Sequence, residues 1–198
     1  MLIRQYTEDK IEAGCDEAGR GCLAGPVFAA AVILPKNYSN PILNDSKQLT
    51  AKQRLALRDE IQRDAVAWAV CSVDNDGIDK MNILAASLHA MNMAVNQLSV
   101  KPQMLLIDGN RFRNETDIPF MCFVKGDGKY MSIAAASILA KTFREEHMEK
   151  LHNEYPQYGW NKNKGYPTKA HYQALAKFGS TPYHRKSFNL DKQLTIIF

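Results

Sequence analysis

Two strand-like segments follow one another near the start of the chain, and the loop between them limits the folds that are possible. Residues 11–17 and 26–34 have strand patterns, and Pro35 stops the second. The intervening glycines, with Asp45 about 20 residues beyond them, approximate a dinucleotide-binding fingerprint, which requires a helix to begin in the loop. Because GPVFAAAVILP predicts a strand instead, no helix N-terminus can face a pyrophosphate, and we discount that fold.

The rest of the chain alternates helix and strand patterns. Thr50 and Gln53 form a capping box, and the run AAAS at 134–137 predicts a helix that lies close against a sheet. The predicted strands are 11–17, 26–34, 67–73, 104–107 and 121–124; the predicted helices are 50–65, 82–98 and 130–155, with a last one that has Pro167 at its first position and Gly179 at its cap. Two strands in a run, then strands alternating with helices, predict an α/β layer fold with a mixed sheet.

Composition indicates a globular protein of one domain. The chain has 198 residues, 45% of them hydrophobic and 23% charged. We expect residues 1–198 to form one domain, with about 156–198 as a C-terminal attachment. The longest apolar runs fall short of the roughly 20 residues of a membrane helix, so we expect a cytoplasmic protein. Four cysteines without a C-x-x-C pair predict reduced, buried thiols, and the scattered histidines do not predict a zinc site.

Charge is distributed unevenly along the chain. Residues 141–198 hold ten Lys and Arg against five Asp and Glu, whereas the first 140 residues are slightly acidic. A basic end beside an acidic end suits a polyanionic ligand that is bound on one side and met by carboxylates on the other. A solvated lysine surface explains the charges equally well.

Four acids share a place in the predicted sheet. Asp16 and Glu17 end the first strand. Asp108 ends the fourth, and Asp127 lies just past the fifth. Because the ends of neighbouring strands form the crevice where ligands bind, these acids are expected to converge. Clustered carboxylates repel one another, so the placement predicts a site for Mg²⁺ or Mn²⁺.

Each acid also has an ordinary structural explanation. Adjacent side chains on a strand face opposite ways, so Asp16 and Glu17 would not bind one ion unless the strand ends or bulges there. Asp108 before Gly109 is typical of a turn, and Asp127 is suited to capping the long helix. The joint placement favours the metal site, whereas no single acid does.

Eight segments resemble bacterial ribonuclease HII, a type 2 ribonuclease H, in their order and spacing. They are GCDEAGRGCLAGPV, NDSKQL, LLIDGN, VKGD, AAASILAK, YPQYG, KGYPT and HRKSF, and they span about residues 11–188. The resemblance implies the ribonuclease H fold, which is a mixed five-stranded sheet flanked by helices. It also implies a C-terminal helical part that closes over the substrate.

The resemblance implies a reaction as well. In the family, the acids that match Asp16, Glu17, Asp108 and Asp127 hold divalent metal, Mn²⁺ or Mg²⁺, and metal-bound water attacks the phosphorus in line. The expected substrates are RNA–DNA hybrids and duplex DNA with embedded ribonucleotides. Cleavage on the 5′ side of the ribonucleotide would leave a 3′-hydroxyl and a 5′-phosphate.

Substrate contacts follow from the same resemblance. Backbone matching Gly19, Arg20 and Gly21 contacts the 2′-hydroxyl that distinguishes RNA from DNA, and Arg20 supplies a phosphate contact. Tyr166 matches a tyrosine that packs on the sugar of the next, DNA, nucleotide; without the resemblance it would be a packed loop aromatic. The residues expected to bind phosphates are Asn44, Ser46, Lys47, Lys164, Arg185 and Ser187, for each of which an ordinary surface role is the alternative.

The chain ends in QLTIIF, which begins at Gln193 and finishes at Phe198. This peptide resembles the short peptides that dock into bacterial sliding clamps, and a tail packed on its own domain is the alternative.

Two other functions also fit the sequence. One is another nuclease of the same superfamily, such as a junction resolvase, and the other is a catalytically silent nucleic-acid-binding domain. A monomer would suffice for the predicted site.

Overall fold

A computed structural model describes residues 2–188 and 190. Within them, the strands are β1 (Glu12–Ala18), β2 (Val27–Ile33), β3 (Ala67–Val73), β4 (Met104–Asp108) and β5 (Phe120–Phe123). They form one sheet in the order β3-β2-β1-β4-β5. The pairs β1–β2 and β2–β3 are antiparallel, whereas β1–β4 and β4–β5 are parallel. The predicted mixed five-stranded sheet is therefore confirmed.

The helices of the described residues are α1 (Ala51–Asp64), α2 (Asn75–Met81), α3 (Ile83–Asn96), α4 (Met131–Glu154), α5 (Trp160–Asn163) and α6 (Lys169–Phe178), with 3₁₀ turns at Gly126–Gly128 and Pro156–Tyr158. The capping box of Thr50 and Gln53 is present at the start of α1. The prediction for α6 was wrong at its start, because Thr168 caps the helix and Pro167 lies before it. Helices α2 and α5 were not predicted.

Helix α4 lies directly against β1 because both present small residues. A Cβ on Gly14 would overlap the backbone of Ser132 and Ile133. The alanines at 134–136 have no exposed surface. The close contact predicted for this stretch is confirmed, and it brings the next turns of α4 to the end of β1 that carries the acids.

Two hydrophobic cores cover the faces of the sheet. Helix α3 packs on one face through residues such as Ala90 and Ala94, and helices α1 and α4 pack on the other through Leu57, Ile61 and Ile138. A third cluster, which includes Trp160, joins the segment after α4 to the loop between β1 and β2. The C-terminal segment thus reaches the same loop that follows the acids.

Two expectations about the environment of the chain can be compared with the structure. In the part of the chain that is described, no helix has both the length and the apolar character needed to cross a bilayer. All four cysteines are free thiols, and three of them are buried, as predicted.

Candidate active site

Strand β1, the central strand of the sheet, carries two acids near its C-terminal end. It pairs with β2 in unbroken register through Ala18, whereas its pairing with β4 stops at Cys15. Asp16 and Glu17 therefore extend past the last β4 pair on a regular strand, without the bulge considered for this position. Both nevertheless line one cavity of about 220 Å³, which we call the acidic cavity.

Asp108 reaches the acidic cavity from the end of β4, and its Oδ1 accepts a 2.7 Å hydrogen bond from the Gly126 N–H. Asp127, which follows Gly126 in the sequence, is buried, and its Oδ2 lies 3.4 Å from Nζ of Lys47. Lys47 lines the cavity, whereas Asp127 is not one of its lining residues. The residue at the N-cap of α4 is Tyr130, so Asp127 does not cap that helix.

Burial is the main cause of the perturbed pKa values of these acids. It raises the pKa of Asp16 well above its usual range, and the charges of Glu17 and Asp108 raise it further. Burial also raises the pKa of Glu17, opposed by the Arg20 guanidinium at 3.1 Å. The pKa of Asp108 is likewise raised by burial, against the Gly126 hydrogen bond. The cavity therefore gathers carboxylates that lack sufficient positive charge.

The donor set fits a hard divalent cation, because buried oxygen donors that repel one another are what Mg²⁺ or Mn²⁺ neutralises. Among the residues that the structure describes, no three His, Cys, Asp or Glu side chains are already arranged as a metal-binding cluster. Instead, Glu17 pairs with Arg20 and Asp127 pairs with Lys47. A bound cation would replace these two ion pairs.

A buried arginine holds the glycine-rich loop from behind. Arg185 has no exposed surface, and its guanidinium donates to three backbone carbonyls, those of Gly19 (2.7 Å), Arg20 (2.9 Å) and Gly25 (2.9 Å). Gly19 has a φ of 97°, and a Cβ there would overlap the side chain of Arg144. Glycine is therefore required at this position, both for conformation and for space.

The cavity is bordered by Gly19, Arg20 and Gly21 on one side and by Tyr166 on another. The Tyr166 residue is 42% exposed, and its ring centre is 5.9 Å from the guanidinium carbon of Arg144. Its ring is thus available to a ligand rather than enclosed in the core.

The predicted phosphate contacts divide into two groups. Ser46 and Lys47 line the acidic cavity, and Ser46 Oγ lies 3.0 Å from Ser137 Oγ. Asn44 is two residues away from Ser46, and its side-chain amide donates to Gln48.

Like Asn44, the other three predicted contacts do not line the cavity. Lys164 Nζ pairs with Glu149 at 3.2 Å, and Ser187 Oγ donates to Asp79. The structure does not support a phosphate contact for Arg185, because this side chain is enclosed and its donors already serve the loop carbonyls.

Two cavity residues on α4, Ser137 and Lys141, were not predicted from the sequence. Burial lowers the pKa of Lys141, opposed by the charge of Glu145. The two residues are four positions apart, and this spacing places side chains on one face of a helix. That spacing, on the helix expected to lie against the sheet, could have identified both.

Comparisons with known proteins identify the family of the chain. The sequence profile of the family described as Ribonuclease HII matches residues 13–191. The chain belongs to the ribonuclease HII family. Ribonuclease HII of Bacteroides thetaiotaomicron is 64% identical over 200 residues and covers 100% of both chains. Ribonuclease HII of Porphyromonas gingivalis is 54% identical, covering 95% of this chain and 94% of its own.

Solved structures show the same fold. Ribonuclease H2 of Pyrococcus horikoshii OT3 superposes with a TM-score of 0.76 at 26% identity, covering 92% of this chain and 96% of that one. The ribonuclease HII of Archaeoglobus fulgidus, solved in a complex with PCNA, also has a TM-score of 0.76, at 25% identity over 90% of this chain and 95% of its own. The fold is that of the ribonuclease H-like proteins.

Proposed function

We propose that the protein is an endoribonuclease that cleaves RNA in RNA–DNA hybrids and incises duplex DNA on the 5′ side of embedded ribonucleotides. The products would carry 3′-hydroxyl and 5′-phosphate ends. The observation that carries this proposal is that one cavity is lined both by the carboxylates of Asp16, Glu17 and Asp108 and by the loop of Gly19, Arg20 and Gly21. Membership of the ribonuclease HII family supports it.

The glycine-rich loop is suited to reading a sugar hydroxyl. The Arg185 guanidinium donates to the carbonyls of Gly19 and Arg20. In a trans peptide group the N–H points in the direction opposite to the carbonyl. The N–H groups of Arg20 and Gly21 therefore face away from Arg185, and neither has a hydrogen-bond acceptor among the described residues. They can donate to a 2′-hydroxyl, the group that DNA lacks.

The acids provide the place for a divalent cation, Mg²⁺ or Mn²⁺. Asp16, Glu17 and Asp108, joined by Asp127 when it leaves Lys47, would hold it. Such a cation lowers the pKa of a water molecule and neutralises charge on the attacked phosphate. Lys47 and Lys141, which line the same cavity, would offset the charge of the substrate backbone.

The exposed ring of Tyr166 is placed to distinguish the nucleotide that follows. It borders the cavity and is partly exposed, so it can pack on a sugar that lacks a 2′-hydroxyl. This contact would favour a ribonucleotide that is followed by DNA. Arg20 and Ser46 would contact neighbouring phosphates, and Asn44, Lys164 and Ser187 could do so only after leaving their present partners.

The proposed enzyme is one catalytic domain over residues 1–198 that acts as a monomer in the cytoplasm. Residues of a single chain supply the whole lining of the acidic cavity, so no second copy is required. The part from about 156 to 198 would close over the substrate, consistent with the contact of Arg185 with the loop after β1.

A sliding clamp is the proposed protein partner. The peptide from Gln193 to Phe198 lies outside the described residues, so its sequence is the basis of this proposal. The Archaeoglobus fulgidus relative was solved in a complex with PCNA. If the tail binds a clamp, deleting these six residues abolishes co-elution with the purified clamp and leaves incision by the free enzyme intact. Unchanged co-elution would exclude the tail.

The function is tested with three substrates of equal length in Mg²⁺ or in Mn²⁺. They are a DNA duplex with one ribonucleotide, the same duplex without it, and a four-way DNA junction. We expect incision of the first, none of the second and none of the third. Cutting of the junction in place of the ribonucleotide would identify a resolvase.

The Asp16→Asn variant provides the matched control. We expect it to bind the one-ribonucleotide duplex and to leave it intact. Equal incision by the variant and the wild type would refute the role of Asp16, and absence of incision by both would indicate a binding domain without catalysis.

A further inference from the structure

A buried chain of hydrogen bonds lies behind Tyr166 and takes no direct part in the proposed chemistry. Its members His171, His184 and Trp160 have no exposed surface. The Nε2 atom of His171 lies 3.1 Å from both Trp160 Nε1 and His184 Nε2. The other ring nitrogen, Nδ1, lies 3.0 Å from the carbonyl oxygen of Tyr166. Burying three polar aromatic groups side by side requires every one of these bonds to be satisfied.

The partners determine where each ring carries its hydrogen. A carbonyl only accepts, so His171 donates from Nδ1 to Tyr166, and its Nε2 is an acceptor. An indole N–H only donates, which suits Trp160, and His184 then donates from Nε2 as well. The two donors share the single lone pair on Nε2 of His171. The Nδ1 atom of His184 in turn accepts from the Thr181 N–H at 2.9 Å. Each ring thus has one defined neutral tautomer.

The chain of hydrogen bonds connects two segments that border the acidic cavity. At one end, the ring of Tyr166 lines the cavity. At the other end, the backbone of His184 pairs with Ala24, just past the glycine-rich loop. The next residue, Arg185, holds the loop carbonyls at positions 19 and 20. The His171–His184 bond is therefore a direct link between the tyrosine and the support of the loop.

We propose that His171 is a positioning residue that fixes the Tyr166 ring relative to the glycine-rich loop through its bonds to the Tyr166 carbonyl and to His184. This inference rests on the proposed function, in which the loop reads the ribonucleotide and Tyr166 reads the sugar after it. The distance between the glycine-rich loop and the Tyr166 ring then determines the preference for a ribonucleotide followed by DNA.

The local turn does not depend on this histidine alone. The Tyr166 carbonyl also accepts a 2.8 Å bond from the Thr168 N–H, so the turn before α6 keeps one bond when His171 is replaced. What is lost is the side-chain link to His184. The bond from the Leu23 N–H to the Gly165 carbonyl (2.8 Å) still joins the two segments, so the loss falls on the placement of the Tyr166 peptide and ring. A misplacement of about 1 Å is sufficient to lower a reaction rate by up to about 100-fold.

The test measures kcat/KM on a duplex with one ribonucleotide and on a uniform RNA–DNA hybrid. In the hybrid every following sugar is RNA, so the proposed reading by Tyr166 does not apply. We expect His171→Phe to lower the ratio of the two values by about tenfold, and to have no further effect on it in a Tyr166→Ala background. An equal loss on both substrates, or the same change of ratio in both backgrounds, would overturn the proposal and leave His171 a packing residue.

Two conservative variants keep the test decisive if His171→Phe does not fold. Asparagine places an amide N–H near the position of Nδ1, so His171→Asn retains the donor to Tyr166. Glutamine reaches the position of Nε2 and gives up that donor. Each variant keeps only one of the two bonds that connect Tyr166 to His184. Both should therefore lower the ratio as His171→Phe does, and a wild-type ratio in either variant would overturn the proposal. Failure of the wild type to cut either substrate would instead refute the proposed function.

Discussion

Asp16 is a residue whose charge opposes folding. It is 5% exposed, and burial together with the charges of Glu17 and Asp108 raises its pKa. Because the folded state disfavours the carboxylate, removing the charge should stabilise the protein at neutral pH. The shape of asparagine also retains an oxygen that can accept the 2.7 Å bond from the Glu17 N–H.

We therefore expect Asp16→Asn to raise Tm while incision is lost. A relief of about 1 kcal/mol corresponds to roughly 2–4 °C for a chain of this size. Thermal unfolding with and without Mn²⁺ measures it, and the stabilisation by Mn²⁺ should be smaller in the variant than in the wild type. A lower Tm for the variant without metal would show that the Asp16 charge is well compensated in the fold.

Substitution of Gly21 tests recognition of the substrate separately from folding. A Cβ there meets no atom within 4 Å, and its φ is not in the left-handed region. Gly21→Ala should therefore leave the free energy of unfolding within about 1 kcal/mol of the wild type. The methyl group would nevertheless stand at the proposed approach of the 2′-hydroxyl.

Incision of the one-ribonucleotide duplex by Gly21→Ala is accordingly expected to fall by at least about tenfold. Affinity for an all-DNA duplex, measured in parallel, should not change because that duplex has no 2′-hydroxyl to displace. Full incision activity in this variant would argue against backbone reading of the sugar at this position.

The sequence indicates which strand end a site residue occupies better than it indicates the contacts that the side chain makes. Asp16 and Asp108 could be placed at the edge of the sheet because a strand pattern ends at each. Arg185 was assigned to phosphate binding instead, since a guanidinium binds phosphate and carbonyl groups equally readily. Its burial against the loop depends on contacts across about 160 positions of the chain, which local pattern does not encode.

At the scale of elements, the loop after β1 depends on the segment after α6. Arg185 satisfies three carbonyls of this loop. Among the described residues, only the Gly19 carbonyl has a second donor, the Cys22 N–H at 3.4 Å. Each buried carbonyl left without a donor lowers the free energy of unfolding by about 1–3 kcal/mol. A neutral residue at position 185 offsets part of this loss, because the variant no longer buries a charge.

We expect Arg185→Met to lower the free energy of unfolding by about 2–4 kcal/mol, and to lower incision as the loop amides lose their orientation. Denaturant unfolding measures the first effect. Arg63→Met is the matched control, since the Arg63 side chain is 70% exposed and pairs only with the adjacent Asp64 among the described residues. Equal stabilities for the two variants would be inconsistent with a supporting role for Arg185.

The helices that were predicted are those whose periodic pattern is long. Helix α1 has its capping box and α4 runs for 24 residues, so each has a clear local signature. Helix α2 has seven residues and was missed, because so short a segment shows barely two turns of periodicity. The break that follows it depends on Asn82, whose φ of 70° is a conformation that pattern does not reveal.

At the scale of the whole molecule, the site is assembled by strand order. Parallel pairing of β4 with β1 brings Asp108 beside acids more than 90 positions earlier. The sequence indicated the strands and a mixed sheet but not the strand order, because local patterns do not identify pairing partners. The ion pairs that Glu17 and Asp127 make in this structure were not foreseen either.

The buried histidines make stability depend on pH. Burial, with a contribution from neighbouring His171, lowers the pKa of His184 to about 4, and burial lowers the pKa of His171. An unfolded histidine titrates near 6.5, so the unfolded chain binds more protons between these values. The contribution to stability is therefore present above about pH 6.5 and is lost as the pH falls towards 4.

We expect the free energy of unfolding of the wild type to fall more steeply over this range than that of His184→Gln, which has no ring to protonate. The comparison is necessary because the raised pKa values of Asp16, Glu17 and Asp108 act in the opposite direction in both proteins. Parallel pH profiles for the two proteins would show that these rings are already accessible to protons.

The central claim is that one cavity reads a ribose and cuts the phosphate beside it. The most direct measurement is the identity of the ends formed on a DNA duplex with one ribonucleotide, mapped at single-nucleotide resolution. The account predicts one nick on the 5′ side of the ribonucleotide, with a 3′-hydroxyl and a 5′-phosphate that retains the ribose. A nick on the 3′ side, or a 2′,3′-cyclic phosphate, would contradict it, because the 2′-hydroxyl would then be the attacking group rather than the one that is read.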